Sequence, residues 1–229
     1  RGPATGCRRT PQCEKLMTRL DEVRQFWFEN ACVSPASLPR HQTRWFTPDA
    51  AIDNAVRSRF HTLPDQVMSD ALPHDPEDSS DLLALILILD QFPRQMFRNT
   101  PRAFAYDPAA RAISRTMIEK ALFKSLHPVE QAFVFLPLEH SEKLSDQSRS
   151  VQLYENLAVQ CAAPYRPFIE NALDYARRHH GIIERFGRFP HRNTILKRSA
   201  TDDEEQFLAG GGDTFGPAPA SEGLDNAQQ

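Results

Sequence analysis

Apolar residues recur at spacings of three and four along most of the chain, and no stretch sustains the alternation of a half-buried strand. Leu16, Leu20, Val23 and Trp27 share one face and predict a helix from Leu16 to Asn30. Ala31 to Arg44 contains Pro35 and Pro39 and reads as a loop. Thr47-Pro48-Asp49 is a start signal, a capping hydroxyl and then Pro at the first helical position. The helix it opens should turn Ile52, Val56 and Phe60 inward and fray near Leu63-Pro64. Leu72 to Ser80 reads as an exposed loop that delivers a cap, Ser79 or Ser80, for a helix from Asp81 to Gln91. This helix carries the longest apolar run, Leu82 to Leu89, so it should be the most buried. A strand would also fit Ile86 to Ile88, but the leucines and Ala84 favour helix. Pro93 should then break or kink it.

Further along, Asp107-Pro108 opens a helix reaching Ser125, and His127-Pro128 opens a short one that ends before Pro137. Ser141 or Ser145 starts a longer helix to Cys161, and Pro167 lies in the first turn of one that ends at Gly187. Thr201-Asp202-Asp203-Glu204 has the form of a capping box, and its helix should stop at Gly210. These signals give a single all-α domain, residues 16–209, between a disordered leader, 1–15, and a disordered tail, 210–229. Its roughly eight helices should pack as antiparallel hairpins.

Composition narrows the function classes. The chain has 229 residues, enough to bury a core, and its 27 basic and 30 acidic side chains leave a net charge of −3. That balance argues against a nucleic-acid partner and against a polybasic membrane surface. The apolar run falls well short of the roughly 20 residues that cross a bilayer. Arg1 to Thr10 is basic without the apolar core of a secretory signal. Cys7, Cys13, Cys32 and Cys161 contain no CxxC pair, which fits free thiols in a reducing cytoplasm better than a zinc knuckle.

Polar residues suited to chemistry gather in three segments beside Pro: Asp90 to Arg94 with Phe97-Arg98, Pro137 to Glu142 with Asp146-Gln147, and Arg185 to Asn193. The third has Phe186 and Phe189 among its arginines and no acid as far as Arg198. A guanidinium offers a planar donor fork for carboxylate or phosphate. The plainer reading is a basic turn facing the acidic run Asp202 to Glu205. Asp90 likewise could simply pair with Arg94 or Arg98, and His140, between Glu139 and Glu142, suits a general base, a metal ligand or a hydrogen-bonding residue. A metal would need Glu139, His140 and His191 to meet His179 or His180. The absence of HExxH, EF-hand, Walker, GxGxxG and GxSxG patterns leaves no cofactor, nucleotide fold or nucleophile elbow expected.

Several strings occur in an order that resembles a largely bacterial family catalogued as domain of unknown function 924. They are Phe26-Trp27-Phe28, Trp45-Phe46, Leu89-Asp90-Gln91-Phe92-Pro93-Arg94, Phe97-Arg98, Ala103-Phe104-Ala105, Pro137-Leu138-Glu139-His140-Ser141-Glu142, Asp146-Gln147 and Arg185 through Asn193. The resemblance implies an all-α fold akin to tetratricopeptide-type helical hairpins, and no established activity. Asn99 and Lys197 stand where the family usually has Gly, which implies left-handed turns that Asn tolerates well and Lys poorly.

The reading favoured by these residues is an anion-binding cleft lined by Arg94, Arg98, Arg188, His191 and Arg192, with Asp90 beside them and Glu139 and His140 opposite. Its ligand would be a carboxylate or phosphate metabolite, or an acidic peptide end. One alternative is a small-molecule hydrolase or isomerase with His140 or His191 as the acid–base group and Glu139 orienting it. Another is a protein-interaction scaffold.

Overall fold

Two helical stretches that are apolar on every face sit at the centre of the packing. The computed structural model describes residues 11–215 and is all-helical over them. The first central stretch is α5 (Ser79–Ile86), a wider π turn (Leu87–Gln91) and α6 (Phe92–Met96), and every residue from Asp81 to Pro93 is buried. The second is α8 (Pro128–Glu139), buried from Ala132 to Glu139. Around them pack α1 (Pro11–Phe28), α3 (Ala50–Phe60), α7 (Asp107–Glu119), α9 (Leu144–Gln160) and α10 (Arg166–Phe186). Ser148 meets His180 and Glu155 meets Arg177, so α9 and α10 run antiparallel.

Leu20, Val23 and Trp27 face inward from α1 as their spacing requires, while the side chain of Leu16 is outside those described. Trp27, Trp45, Phe28 and Phe133 form an aromatic centre, with the Trp45 and Phe133 rings 4.9 Å apart. Asp49 caps α3 by accepting from the Ala51 and Ile52 N–H groups, so the cap is the carboxylate rather than Thr47. The capping box at Thr201 forms, and α11 (Asp202–Ala209) follows it.

Proline misled the sequence reading at four places, each time by beginning or riding in a helix instead of ending one. The expected loop Ala31–Arg44 contains α2 (Leu38–Phe46), with Pro39 in its first turn. Its buried face is Leu38, His41 and Trp45, and the histidine hid the periodicity. The expected fraying at Leu63-Pro64 is instead the start of α4 (Leu63–Met68). α8 runs through Pro137 to Glu139. At Pro93 the chain widens into the π turn, with the Phe92 N–H bonding to the Leu87 carbonyl, and this accommodates a ring that cannot donate.

Both flanks also differ from expectation. The first helix is described from Pro11, inside the expected leader, and residues 1–10 lie outside the described residues. Gly210 to Phe215, assigned to a disordered tail, are packed on the domain; 216–229 lie outside the described residues.

Asn99 and Lys197 both adopt positive φ, +59° and +55°. The turn at Lys197 therefore forms without glycine. Replacing Lys197 by Gly should relieve the left-handed strain and return part of it as backbone entropy, a net gain of about 0.5–1 kcal/mol. Thermal unfolding should show a rise of about 1–4 °C; a fall would refute the strain.

Candidate functional site

The π turn places Asp90 inside the domain, with no exposed surface. Its Oδ1 accepts from His140 Nδ1 at 2.9 Å, and its Oδ2 accepts from Gln91 Nε2 at 2.6 Å. Arg94 Nη1 lies 3.3 Å from Oδ1 and donates to the Asp90 backbone carbonyl at 2.6 Å. Burial alone would raise the Asp90 pKa. The Arg94 charge and the hydrogen bonds from His140 and Gln91 outweigh it and hold the carboxyl well below the usual range. An ionised Asp90 fixes the His140 tautomer, with the proton on Nδ1 and the lone pair on Nε2. Burial and Arg94 push His140 down despite Asp90, so the ring is neutral at neutral pH.

The second segment reaches this point because α8 ends at Glu139 and the next turn is pinned from α9. Gln147, fully buried, donates to the Glu139 and Ser141 carbonyls at 2.6 Å each, and Ser141 Oγ donates to Asp146 at 2.7 Å. Glu142 then gathers the third segment, accepting from the Phe189 N–H at 2.9 Å and from Arg198 at 2.7 and 3.0 Å. Residues 190–192 form a short turn that aims Arg192 back at His140, where Nη1 donates to the His140 carbonyl at 3.1 Å. The three stretches thus meet in one buried cluster.

Arg94 and Arg192 are held differently. Arg94 forks onto Asp107, a residue whose site role the sequence reading missed because Asp107-Pro108 resembled only a helix start; the two bonds are 2.9 and 3.0 Å. Arg192 lies between the rings of Phe104 and Phe189, 4.8 and 4.3 Å from their centroids. Its nearest carboxylate oxygen, on Asp107, is 3.9 Å away, and its buried Nε has no partner. Burial and then Arg94 lower its pKa to about 10, which leaves it charged.

Behind His140, Glu139 and His179 approach to 3.1 Å, and the Tyr154 hydroxyl also interacts with the Glu139 carboxyl. His179 Nδ1 instead donates to the Tyr175 carbonyl at 2.8 Å, so its approach to Glu139 is a close contact between two neutral side chains. Burial and then Asp90 push Glu139 up to about 8, and burial holds His179 well below its ordinary value. Glu139 Oε2 and His191 Nδ1 are buried without partners, and burial with Arg192 pushes His191 down to about 3. His180 points elsewhere, to Ser148. Among the described residues no group of three or more His, Cys, Asp and Glu side chains is arranged to hold a metal ion.

Two expected members do not join. Arg98 pairs with Asp53 at 2.5 and 2.8 Å, tying the end of α6 to α3. Arg188 pairs with Glu204 at 2.6 and 2.7 Å and donates to the Ser199 carbonyl, so the acidic run that follows it in sequence claims it, as the plainer reading has it. The open cleft is also corrected. The cluster meets solvent only in part, through His140, Arg94 and His191, the first two with side chains 14% and 19% exposed. A surface hollow of 680 Å³, lined in part by Arg57, Asp65, Phe97 and Arg102, contains none of the cluster residues.

The matching strings and this cluster share one stretch of chain with a family model, described as bacterial protein of unknown function (DUF924), which matches residues 23–212. The chain belongs to the DUF924 family. A solved structure, that of protein of unknown function ATU0120 from Agrobacterium tumefaciens, is 32% identical with a TM-score of 0.69. The alignment covers 84% of this chain and 97% of that one. No curated protein matches. The family match spans every member of the cluster, Asp90 to Arg192, and stops before Asp213 and Phe215. No helix of the described residues is long and apolar enough to cross a membrane.

Proposed function

We propose that the cluster binds a small anion, a carboxylate- or phosphate-bearing metabolite, between Arg192 and His140. The observation that carries this reading is the bonding of Arg192. It is a buried cation whose one hydrogen bond goes to a carbonyl, with an orphaned Nε and no carboxylate in hydrogen-bonding range. A buried charge in that state is costly unless a counter-charge completes it. Arg94 does not need the ligand, since Asp107 and Asp90 already satisfy it. The limited opening favours a small molecule over a peptide end. Free Cys32 and Cys161 support a cytoplasmic setting, and the antiparallel packing of α9 and α10 supports a tetratricopeptide-type array.

Thermal unfolding at constant ionic strength, with inorganic phosphate and short carboxylates titrated in, tests the reading. The melting temperature of the unmodified protein should climb with ligand concentration. Arg192→Gln should abolish the climb, and Arg185→Gln, in an exposed pair with Asp203, should leave it intact. A flat response to every anion, or an equal response in Arg192→Gln, refutes it.

A second reading rests on the Asp90–His140 dyad. A buried carboxylate on Nδ1 orients the imidazole and leaves Nε2 as proton acceptor, the arrangement of a general base. It supports acid–base chemistry on a hydroxyl or carbon acid beside the bound anion. A turnover whose pH profile disappears in His140→Ala would separate catalysis from binding alone.

A further inference from the structure

Asp107, Arg111 and Arg115 stand one turn apart on a single face of α7. Asp107 holds Arg94 and approaches Arg192, while Arg111 and Arg115 both meet Asp146. Asp146 has little left for Arg111. Its Oδ1 accepts from Arg115 Nη2 at 2.5 Å, and its Oδ2 accepts from Ser141 Oγ at 2.7 Å. Arg111 Nε comes only to 3.7 Å from Oδ2, beyond hydrogen-bonding distance. The Arg111 guanidinium makes no hydrogen bond among the described residues. Its side chain is nonetheless only 20% exposed, against 44% for Arg115. A cation so far covered, with its donors unspent, repeats the condition of Arg192.

Both guanidiniums adjoin the same two-residue turn. Arg192 donates to the His140 carbonyl, and the acid beside Arg111 accepts from Ser141, the next residue. Asp107, 3.9 Å from Arg192, precedes Arg111 by one turn, and helical side chains lean toward the preceding turn. The two differ in depth. Arg192 Nε is sealed from solvent, whereas the Arg111 nitrogens, equally without hydrogen bonds, reach it. We propose that Arg111 is a second anion-binding residue at the rim of the cluster, and that the ligand is a short molecule with two acidic groups, one met by Arg192 inside and the other by Arg111 outside. This rests on the anion-binding reading above and adds the second acidic group to it. A dicarboxylate and a phosphorylated carboxylic acid share that chemistry.

Calorimetric titration of the whole chain at constant ionic strength tests this with two matched pairs, succinate against butyrate and 2-phosphoglycolate against glycolate. The unmodified protein should bind the two-acid member of at least one pair about tenfold tighter, and the pair that shows the preference identifies the outer group. Arg111→Gln should remove the preference and leave the affinity for the single acid unchanged. Arg111→Lys, which keeps the charge, should retain part of it and serves as the test should the glutamine variant fail to fold. Arg115→Gln, on the more exposed neighbour at the same acid, should leave the ratio as it was. Single acids that bind as tightly as their two-acid partners overturn the role of Arg111 and leave the anion reading at Arg192 standing. A preference that survives Arg111→Gln does the same, and reduces Arg111 to a counter-charge for Asp146. No binding of any of the four overturns both.

Discussion

Asp90→Ala is expected to lower the melting temperature by roughly 6–20 °C, because breaking a buried charge network costs about 3–5 kcal/mol in a domain of this size. The reason is where the carboxylate stands. It has no contact with solvent and receives His140, Gln91 and Arg94 together. Its removal strands the His140 Nδ1 proton and leaves Arg94 depending on Asp107. Asp90→Asn keeps the volume but presents an amide that can accept through one oxygen only, so its loss should fall between the two. Circular dichroism melts measure both. A change below about 1 kcal/mol, the worth of a surface pair, would show that the network is not buried as described.

The second large effect is on the pH dependence of stability. Glu139 has its folded pKa raised from 4.5 to about 8. The folded chain keeps a proton there that the unfolded chain releases. The stability this contributes is complete below pH 4.5 and is lost as pH rises toward 8. His140, His179 and His191 are shifted the other way, from 6.5 downward. Their neutral forms stabilise the fold above 6.5, and that contribution is lost as pH falls below it. His41 and His127 are lowered as well and add to the same acid limb. Between 4.5 and 6.5 the histidines outnumber the one glutamate, so stability should rise with pH. From 6.5 to 8 the glutamate acts alone, and stability should fall by about 2 kcal/mol. Glu139→Gln, a neutral isostere, should flatten this alkaline limb and leave the acid limb in place. An alkaline limb of equal slope in the variant would mean that Glu139 is ionised in the native protein.

The helix class and most of the central packing were legible from spacing, because a run such as Leu82 to Leu89 has few other ways to be buried. Boundaries failed where Pro was taken as an end. Pro39 and Pro64 sit in first turns, where a missing N–H costs nothing, and Pro93 and Pro137 ride inside buried helices whose neighbours compensate. The convergence of the three polar segments was legible in outline. Which arginines joined it was not, since Arg98 and Arg188 are claimed by Asp53 and Glu204, and spacing does not reveal which acid reaches which base. Asp107 was hidden by its likeness to a cap. Tyr154 carried no signal beyond helical periodicity, and Phe215 stood in a stretch whose Gly, Pro and Ala read as disorder.

Distant stretches of chain fold round a buried Arg192 whose Nε–H has no partner, the group that the proposed anion would engage. Proton–nitrogen NMR of the Arg192 side chain during a phosphate titration tests it most directly. The Nε–H resonance should shift and saturate, with the exposed Arg185 Nε–H unmoved. An Arg192 resonance that stays fixed, or that drifts in step with Arg185 without saturating, would contradict it.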